Sequence, residues 1–74
     1  MDMKAVKSSN IESIGYDEKN LKLRVTFRNG RTYDYLKVPP EVHEALMGAD
    51  SVGSAFHTLV RNRPDAYPYS RLED

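Results

Sequence analysis

The stretch that decides the fold is Leu21–Lys37, which reads Leu-Lys-Leu-Arg-Val-Thr-Phe-Arg-Asn-Gly-Arg-Thr-Tyr-Asp-Tyr-Leu-Lys. Two runs that alternate apolar with polar residues flank Asn29-Gly30, a pair typical of the tight turn of a β-hairpin. Two loops are compatible with this pair, and they differ in length by one residue. Because side chains alternate between the two faces of a strand, the loop length decides which side chains of the second strand face the core.

A two-residue turn would pair Val25 with Asp34 and place that carboxylate on the apolar face. An unpaired buried carboxylate costs several kcal/mol, whereas a domain of this size has about 3–5 kcal/mol of stability in total. A three-residue loop, Arg28-Asn29-Gly30, places Asp34 opposite Arg24 instead. We therefore predict the three-residue loop.

This loop also places Gly30 in the left-handed conformation, which glycine adopts without steric cost. The remaining pairs that it predicts are Phe27 with Arg31, Thr26 with Thr32, Val25 with Tyr33, and Leu23 with Tyr35. Tyr33 and Tyr35 are therefore predicted to lie on the core face, with their hydroxyls near its rim.

The chain has 74 residues, which predicts one domain with a small core. It contains no cysteine, which excludes disulfides and thiolate chemistry and suits a reducing cytoplasm. No apolar run approaches the roughly 20 residues that span a bilayer, and the polar start is not that of a signal peptide. Eleven basic and eleven acidic side chains give zero net charge, so no global field attracts nucleic acid or membrane. We expect a cytoplasmic monomer without membrane contact.

A further strand is predicted over residues 11–16, followed by a polar turn at 17–20. The pairs that this turn predicts are Tyr16 with Leu21 and Ile14 with Leu23. A β-bulge near Glu12 and Ser13 would turn Ile11 toward the core.

Two short amphipathic helices are predicted after the sheet. The segment Val38-Pro39-Pro40-Glu41 ends the last strand and begins the first helix, because proline and acidic residues suit the first helical turn. Gly48 ends this helix. The second helix is capped by Asp50 or Ser51 and runs to about Asn62. The apolar stripes are Val42, Ala45, Leu46 and Ala49 in the first helix, and Val52, Ala55, Phe56, Leu59 and Val60 in the second.

These elements predict an α+β fold with the order β-β-β-α-α. A three-stranded antiparallel β-meander would be covered on one face by the two helices, which is about the minimum for independent stability. The single domain would span residues 1–74, with a core at about 6–62 and flexible or peripheral segments at 1–5 and 64–74. The uncovered face should expose Lys22, Arg24, Thr26, Thr32, Asp34 and Leu36 to solvent.

Several short motifs stand in a fixed order along nearly the whole chain. They are Ser8-Ser9-Asn10-Ile11, Ile14-Gly15-Tyr16-Asp17, Leu23-x-Val25-x-Phe27-x-x-Gly30, Tyr33-x-Tyr35, Val38-Pro39, Ser51-x-Gly53-x-x-Phe56 and Val60-Arg61. This ordered set resembles the KTSC domain family, which is named after the C-terminus of some lysyl-tRNA synthetases and also occurs as short bacterial proteins. Tyr33-x-Tyr35 corresponds to the hallmark of that family.

The chain departs from the family pattern on either side of Phe56. Ala55 and His57 stand where the family commonly has an aromatic residue and an asparagine. The resemblance implies no catalytic residues and no established function. RNA binding is the function that it usually suggests, because of the fusion to synthetases.

The basic residues of the hairpin are the candidate phosphate contacts. Asp34 is the only acidic residue between Lys19 and Lys37. The candidates for nucleic-acid binding are Lys22, Arg24, Arg28, Arg31 and Arg61. We expect micromolar or weaker binding to tRNA-like RNA, which falls steeply with salt because phosphate contacts release counterions. The same charges would also suit a solvated sheet face that resists aggregation.

The other motif residues have mainly structural interpretations. Tyr33 and Tyr35 invite comparison with aromatic residues that stack on bases, although the predicted register favours core packing. Gly30 suits the turn, and Phe56 suits the core. Ser51 and Gly53 suit a helix cap and a close helix–sheet approach, in preference to an anion site.

An alternative function is that of a protein-interaction adaptor, which would use a sheet edge or the Tyr67-Pro68-Tyr69 tail. The two histidines, His43 and His57, stand in no metal-binding motif. We therefore predict no metal, no cofactor and no enzymatic activity for a domain too thin to form a deep pocket.

Overall fold

The computed structural model describes residues 1–72 and shows an antiparallel sheet with two short helices packed on one face. The elements are β1 (Met3–Ala5), β2 (Ile11–Asp17), β3 (Lys22–Phe27), β4 (Thr32–Tyr35), α1 (Pro40–Met47), α2 (Val52–Phe56), a π-helical turn (His57–Arg61) and β5 (Tyr69–Leu72). The strands lie in the order β1-β2-β3-β4-β5. The α+β class is confirmed, but the predicted count of three strands is wrong, because the sheet has five.

The two additional strands form the edges of the sheet. Both are short and mostly exposed, so neither carries the apolar alternation by which a half-buried strand is identified. The tail before β5 is also fixed to the body, since the Leu36 N–H donates to the Pro68 carbonyl at 2.8 Å. Residues 69–72 therefore extend the sheet, and residues 73 and 74 of the expected peripheral segment lie outside the described part of the chain.

The predicted register of the β3–β4 hairpin is confirmed. Leu23 lies opposite Tyr35 and Arg24 opposite Asp34, as the three-residue loop requires. Gly30 adopts a φ of 90°, in the region that glycine tolerates best. The Asn29 side-chain oxygen accepts a hydrogen bond from the Arg31 N–H at 3.0 Å, which fixes the hairpin tip.

The loop between β2 and β3 begins and ends one residue later than predicted. Tyr16 pairs with Leu23 and Ile14 with Val25, so the pairings predicted between Tyr16 and Leu21 and between Ile14 and Leu23 are both wrong. The Asp17 carboxylate accepts hydrogen bonds from the N–H groups of Lys19 and Asn20, which starts the loop after Asp17 rather than before it. Leu21 therefore belongs to the loop, with a φ of 52°.

The predicted bulge in β2 is confirmed. Ile11 pairs with Phe27 and Ser13 with Thr26, so Glu12 is the extra residue. Ile11 consequently faces inward and is almost fully buried. Without the bulge, Glu12 would occupy that inner position.

The core lies between the inner sheet face and the helices. Its buried members are Ile11, Ile14, Leu23, Val25, Tyr35, Val38, Leu46, Val52, Phe56 and Val60. The apolar stripe predicted for α1 is only partly right: Leu46 is buried and Val42 half-buried, but Ala45 is exposed. Gly48 ends α1 as predicted.

The second helix has the predicted extent but not a uniform geometry. Ser51 is its N-cap and accepts a hydrogen bond from the Ser54 N–H at 3.3 Å. After Phe56 the hydrogen-bonding changes, and the Asn62 N–H donates to the His57 carbonyl five residues earlier, at 2.9 Å. This π-helical turn keeps Val60 in the core and leaves Arg61 exposed.

Candidate nucleic-acid interface

The predicted basic residues of the hairpin divide between the two faces of the sheet. On the outer face, the Arg24 guanidinium donates hydrogen bonds of 2.7 and 3.0 Å to the Asp34 carboxylate. These bonds raise the pKa of Arg24 above its ordinary value. Lys22 also approaches Asp34, with its Nζ 4.0 Å from Oδ2. Both cations are thus partly neutralised on this face.

Asp34 itself is buried, contrary to the prediction that it would see solvent. It is 4% exposed. Ser70 of β5 lies opposite Asp34 on one side, and Arg24 lies opposite it on the other. A strand that the sequence did not reveal therefore converts an edge position into an interior one.

The other predicted basic residues, Arg28, Arg31 and Arg61, are exposed near the hairpin tip and the π-helical turn. The Arg28 Nε donates to the Ser8 carbonyl at 2.7 Å, and the Arg28 backbone N–H donates to the Asn10 carbonyl at 2.8 Å. A guanidinium has five N–H donors, so Arg28 retains others for a ligand. These arginines, unlike Lys22 and Arg24, border concave surface.

An open groove of about 410 Å³ lies between the hairpin tip, the π-helical turn and the tail. We call it the aromatic groove, because its walls include Phe27, Tyr33, Tyr35, Tyr67 and Tyr69. Arg31, Arg61 and Asn29 also line it, and within residues 1–72 no acidic residue does so. The groove therefore combines aromatic faces with positive charge.

The tyrosine rings of β4 and β5 form one contiguous cluster. The ring centroid of Tyr69 lies 5.7 Å from that of Tyr33 and 5.6 Å from that of Tyr35. Tyr69 is 58% exposed, whereas Tyr35 is 5% exposed. Burial raises the pKa of the Tyr35 hydroxyl, while the nearby Arg61 charge acts in the opposite direction. Tyr33, of intermediate exposure, connects the core to the groove.

The Tyr-x-Tyr motif is thus both a core element and a wall of the candidate site. The predicted inner-face position of Tyr33 and Tyr35 is confirmed. Sequence reasoning did not assign Tyr67 and Tyr69 to the same site, because neither β5, which begins at Tyr69, nor the attachment of the tail before it was predicted. The only signal was the concentration of aromatic residues in Tyr67-Pro68-Tyr69.

A second concavity of about 540 Å³ lies between the segment before β2 and helix α2. We call it the polar cleft, because its lining includes Ser9, Asn10, Ser51, Ser54, His57 and Thr58. Gly53 permits the close approach of these two segments, since a Cβ atom there would lie 3.0 Å from the Ser8 hydroxyl oxygen. That oxygen accepts hydrogen bonds from the N–H groups of Asn10 and Ile11, at 3.3 and 3.2 Å.

Phe56 lies between the core and the polar cleft. Its ring centroid lies 5.3 Å from that of Tyr35 and 5.8 Å from that of Phe27, in edge-to-face geometry. Phe56 lines the polar cleft, while Phe27 lines both concavities. Phe56 was predicted to lie in the core, and these contacts place it there.

The remaining titratable cluster lies at the other end of the sheet. The rings of Tyr16 and His43 stack with centroids 4.5 Å apart, and the Tyr16 hydroxyl donates to the Val38 carbonyl at 2.6 Å. Burial, and then the charge of Lys4, lower the pKa of His43 below its ordinary value. Among residues 1–72, no three His, Cys, Asp or Glu side chains are arranged to hold a metal ion. No helix in the same range is long and apolar enough to cross a membrane.

The ordered motifs and the fold identify the family. The KTSC domain model matches residues 7–63, a range that contains β2, β3, β4 and both helices. The chain belongs to the KTSC domain family. The match ends before β5, which supplies Tyr69 of the aromatic groove.

Individual KTSC relatives agree with this assignment. An uncharacterised protein of Stutzerimonas stutzeri is 42% identical over 69 residues, covering 93% of this chain and 94% of that protein. The crystal structure of a KTSC domain protein from Yersinia pestis is similar with a TM-score of 0.88 and 36% identity, and the match covers 97% of each chain. A lysine–tRNA ligase of Nostoc punctiforme is 35% identical over 57 residues, covering 77% of this chain but 10% of the ligase.

Proposed function

We propose that this KTSC domain is a non-catalytic module that binds RNA of the tRNA type in the aromatic groove. The observation that carries the proposal is the combination of Tyr33, Tyr35 and Tyr69 with two arginines in one open concavity. Aromatic rings stack on bases irrespective of sequence, and arginines contact phosphates. The exposed ring of Tyr69 is the accessible stacking surface.

The charge around the groove also favours a polyanion. Arg31 and Arg61 line it, and Arg28 lies beside them on a smaller concavity of about 340 Å³. The acidic residue of the hairpin, Asp34, faces the opposite side of the sheet and is occupied by Arg24. The net charge of zero nevertheless argues for weak binding that depends on these local contacts.

The lysine–tRNA ligase relative adds a reason to choose tRNA among nucleic acids. In the Nostoc punctiforme enzyme, a KTSC-like segment makes up a small part of a protein whose name specifies tRNA as a substrate. A weak RNA-binding segment within such an enzyme would add to its hold on tRNA by raising the local concentration of the ligand. The same chemistry is proposed for the present chain.

Amide chemical-shift mapping with tRNA, combined with fluorescence anisotropy, tests the proposal. We expect micromolar or weaker affinity, with shifts concentrated around Tyr33, Tyr69 and Arg61. Arg31→Ala with Arg61→Ala should weaken binding and reduce its salt dependence, because each lost phosphate contact lowers the slope by about one. Lys19→Ala is the control, since Lys19 is exposed in the turn at the opposite end of the hairpin.

Two results would contradict RNA binding in the groove. One is the absence of shifts in β4, β5 and the π-helical turn at high RNA concentration. The other is an equal loss of affinity in Lys19→Ala and in the double arginine variant, which would indicate nonspecific attraction. Melting curves of each variant establish that the fold is retained.

A protein-interaction adaptor remains the second candidate function. Strand β1 favours it, because its three residues are exposed and no described strand pairs with its outer side. The Tyr67-Pro68-Tyr69 tail, by contrast, is engaged in the groove wall. Recovery of a nuclease-insensitive protein partner that is lost when residues 1–5 are removed would favour the adaptor over RNA binding.

A further inference from the structure

We infer that the RNA is bound as a single strand that crosses Arg61 and occupies the aromatic groove and the polar cleft together. This inference rests on the proposed function, since it specifies the form and the path of the ligand in the same region. Arg61 is the residue on which the path depends. It lines the aromatic groove, the polar cleft and the smaller concavity beside Arg28.

The three concavities form a continuous track on one side of the molecule. Phe27 lines all three of them, as Arg61 does. Asn29 joins the aromatic groove to the smaller concavity, and Asn10 joins the smaller concavity to the polar cleft. A chain-like ligand that enters at Tyr69 can therefore pass the arginines and continue toward Thr58.

The two ends of the track have different chemistry. The aromatic groove offers ring faces to bases, whereas the polar cleft offers hydroxyl and amide groups. The hydroxyl oxygens of Ser8 and Ser51 already accept backbone hydrogen bonds. Ser9, Ser54 and Thr58 are the additional hydroxyl groups in the cleft, and they suit a ribose 2′-OH or a phosphate.

Positive charge is also continuous along the track. Lys7 lies at the polar end, Arg28 and Arg61 in the middle, and Arg31 at the aromatic end. In the described part of the chain, Asp50 is the acidic residue that lines these concavities. Repeated cationic contacts with aromatic stacking between them are the arrangement by which proteins follow a single-stranded backbone.

A duplex cannot use this arrangement. Its bases are stacked on each other, so their faces are not available to Tyr33 or Tyr69. Its backbone phosphates would contact the arginines without the accompanying ring contacts. The track therefore predicts a preference for unpaired nucleotides, such as those of RNA loops and ends.

The test compares uridine monophosphate, oligouridine and duplex RNA on the 74-residue chain. Oligouridine should bind at least about tenfold more tightly than the monophosphate, because it reaches both concavities. Tyr69→Ala should lower the affinity for both ligands about tenfold, as for the loss of a stacked base. Ser9→Ala with Thr58→Ala should lower the affinity for oligouridine alone, and Lys19→Ala should change neither.

The outcomes separate this inference from the proposed function. If the monophosphate and oligouridine bind equally well, or if the cleft variant binds oligouridine like the parent, the ligand is confined to the aromatic groove and the inference is overturned. Equal binding of duplex RNA would overturn it as well. In all three cases, loss of binding in Tyr69→Ala would leave the proposed function intact. If tRNA and oligouridine both fail to bind, both proposals are wrong.

Discussion

Arg24 and Asp34 face each other across β3 and β4 and are joined by two hydrogen bonds, of 2.7 and 3.0 Å. The pair is asymmetric in its exposure, since the Arg24 side chain is 34% exposed and the Asp34 side chain 6%. Arg24 can therefore reach water if its partner is removed, but Asp34 cannot. Arg24 and Asp34 therefore form a structural ion pair, and they do not form a basic surface that is available to a ligand.

Arg24→Ala should lower the free energy of unfolding by about 1–3 kcal/mol, because it leaves a buried carboxylate without its main partner. Asp34→Asn should cost less, because a neutral amide is easier to bury than an unpaired charge. Urea denaturation of both variants, with Lys19→Ala in the exposed β2–β3 turn as a control, measures the difference. A parent-like midpoint for Arg24→Ala would show that the pair does not stabilise the fold.

Tyr35→Ala should lower the free energy of unfolding by about 3–5 kcal/mol, as expected for the truncation of a buried aromatic residue. Tyr33→Ala should cost less, because Tyr33 is only partly buried. Tyr35→Phe isolates the hydroxyl group and should melt nearly like the parent, because the substitution keeps the ring that packs against Phe56 and Tyr69. Equal losses for the two alanine variants would contradict the proposed division between core and groove wall.

The stability of the fold should decrease as the pH falls through the range below about 6.5. The folded state lowers the pKa of His43 from its ordinary value of 6.5, mainly through burial and then through Lys4, with Glu44 opposing. The unfolded chain therefore binds a proton more readily than the folded one, and acid favours unfolding. The contribution of His43 is fully present above pH 6.5 and is lost as the pH falls toward the folded-state value.

Urea denaturation midpoints at about pH 7.5 and about pH 5 measure this effect, because the two values lie on either side of the ordinary pKa of histidine. His43→Gln should reduce the difference between the two midpoints. His57→Gln is the matched control, because His57 is exposed on the π-helical turn. If both variants retain the pH dependence of the parent, His43 is not its source.

Gly30→Ala should destabilise the hairpin by about 1–2 kcal/mol through backbone conformation alone. Its φ is 90°, and a Cβ atom there would meet nothing within 4 Å, so steric overlap with other residues is absent. Gly30→Asn should cost less, because asparagine tolerates the left-handed region better than alanine. Thermal melting of the two variants checks this order, and identical melting temperatures for alanine and the parent would contradict it.

The register of the β3–β4 hairpin could be predicted from the sequence, because the alternative register carried a large free-energy cost. Burying Asp34 without a partner was unacceptable for so small a core, and this argument selected the register that places Arg24 opposite it. The bulge at Glu12 was predicted for a similar reason. For the β2–β3 turn the two possible registers did not differ in this way, since either one keeps the apolar face continuous. The hydrogen bonds that the Asp17 carboxylate accepts decide which register forms.

The candidate site was predicted only in part, because it is assembled from segments distant in sequence. Arg31 and Arg61 were named as candidates from the sequence, but nothing in the sequence showed that they line the same groove. The position of Tyr69 depended on β5, a strand whose pattern is too short and polar to be identified from periodicity. Strand pairing at the edge of β4 was the missing information.

The π-helical turn has a consequence for how the interface can change during evolution. A π turn contains one residue more than the α turn that it replaces, and such turns are frequent at functional sites. Deletion of one residue between Phe56 and Arg61 would restore regular α-helical periodicity, because the π turn already accommodates one extra residue. Arg61 and the positions after it would keep nearly the same orientation, and the cap at Ser51 would be unaffected. One codon can therefore be lost at this point while the cation at the end of the helix stays in place.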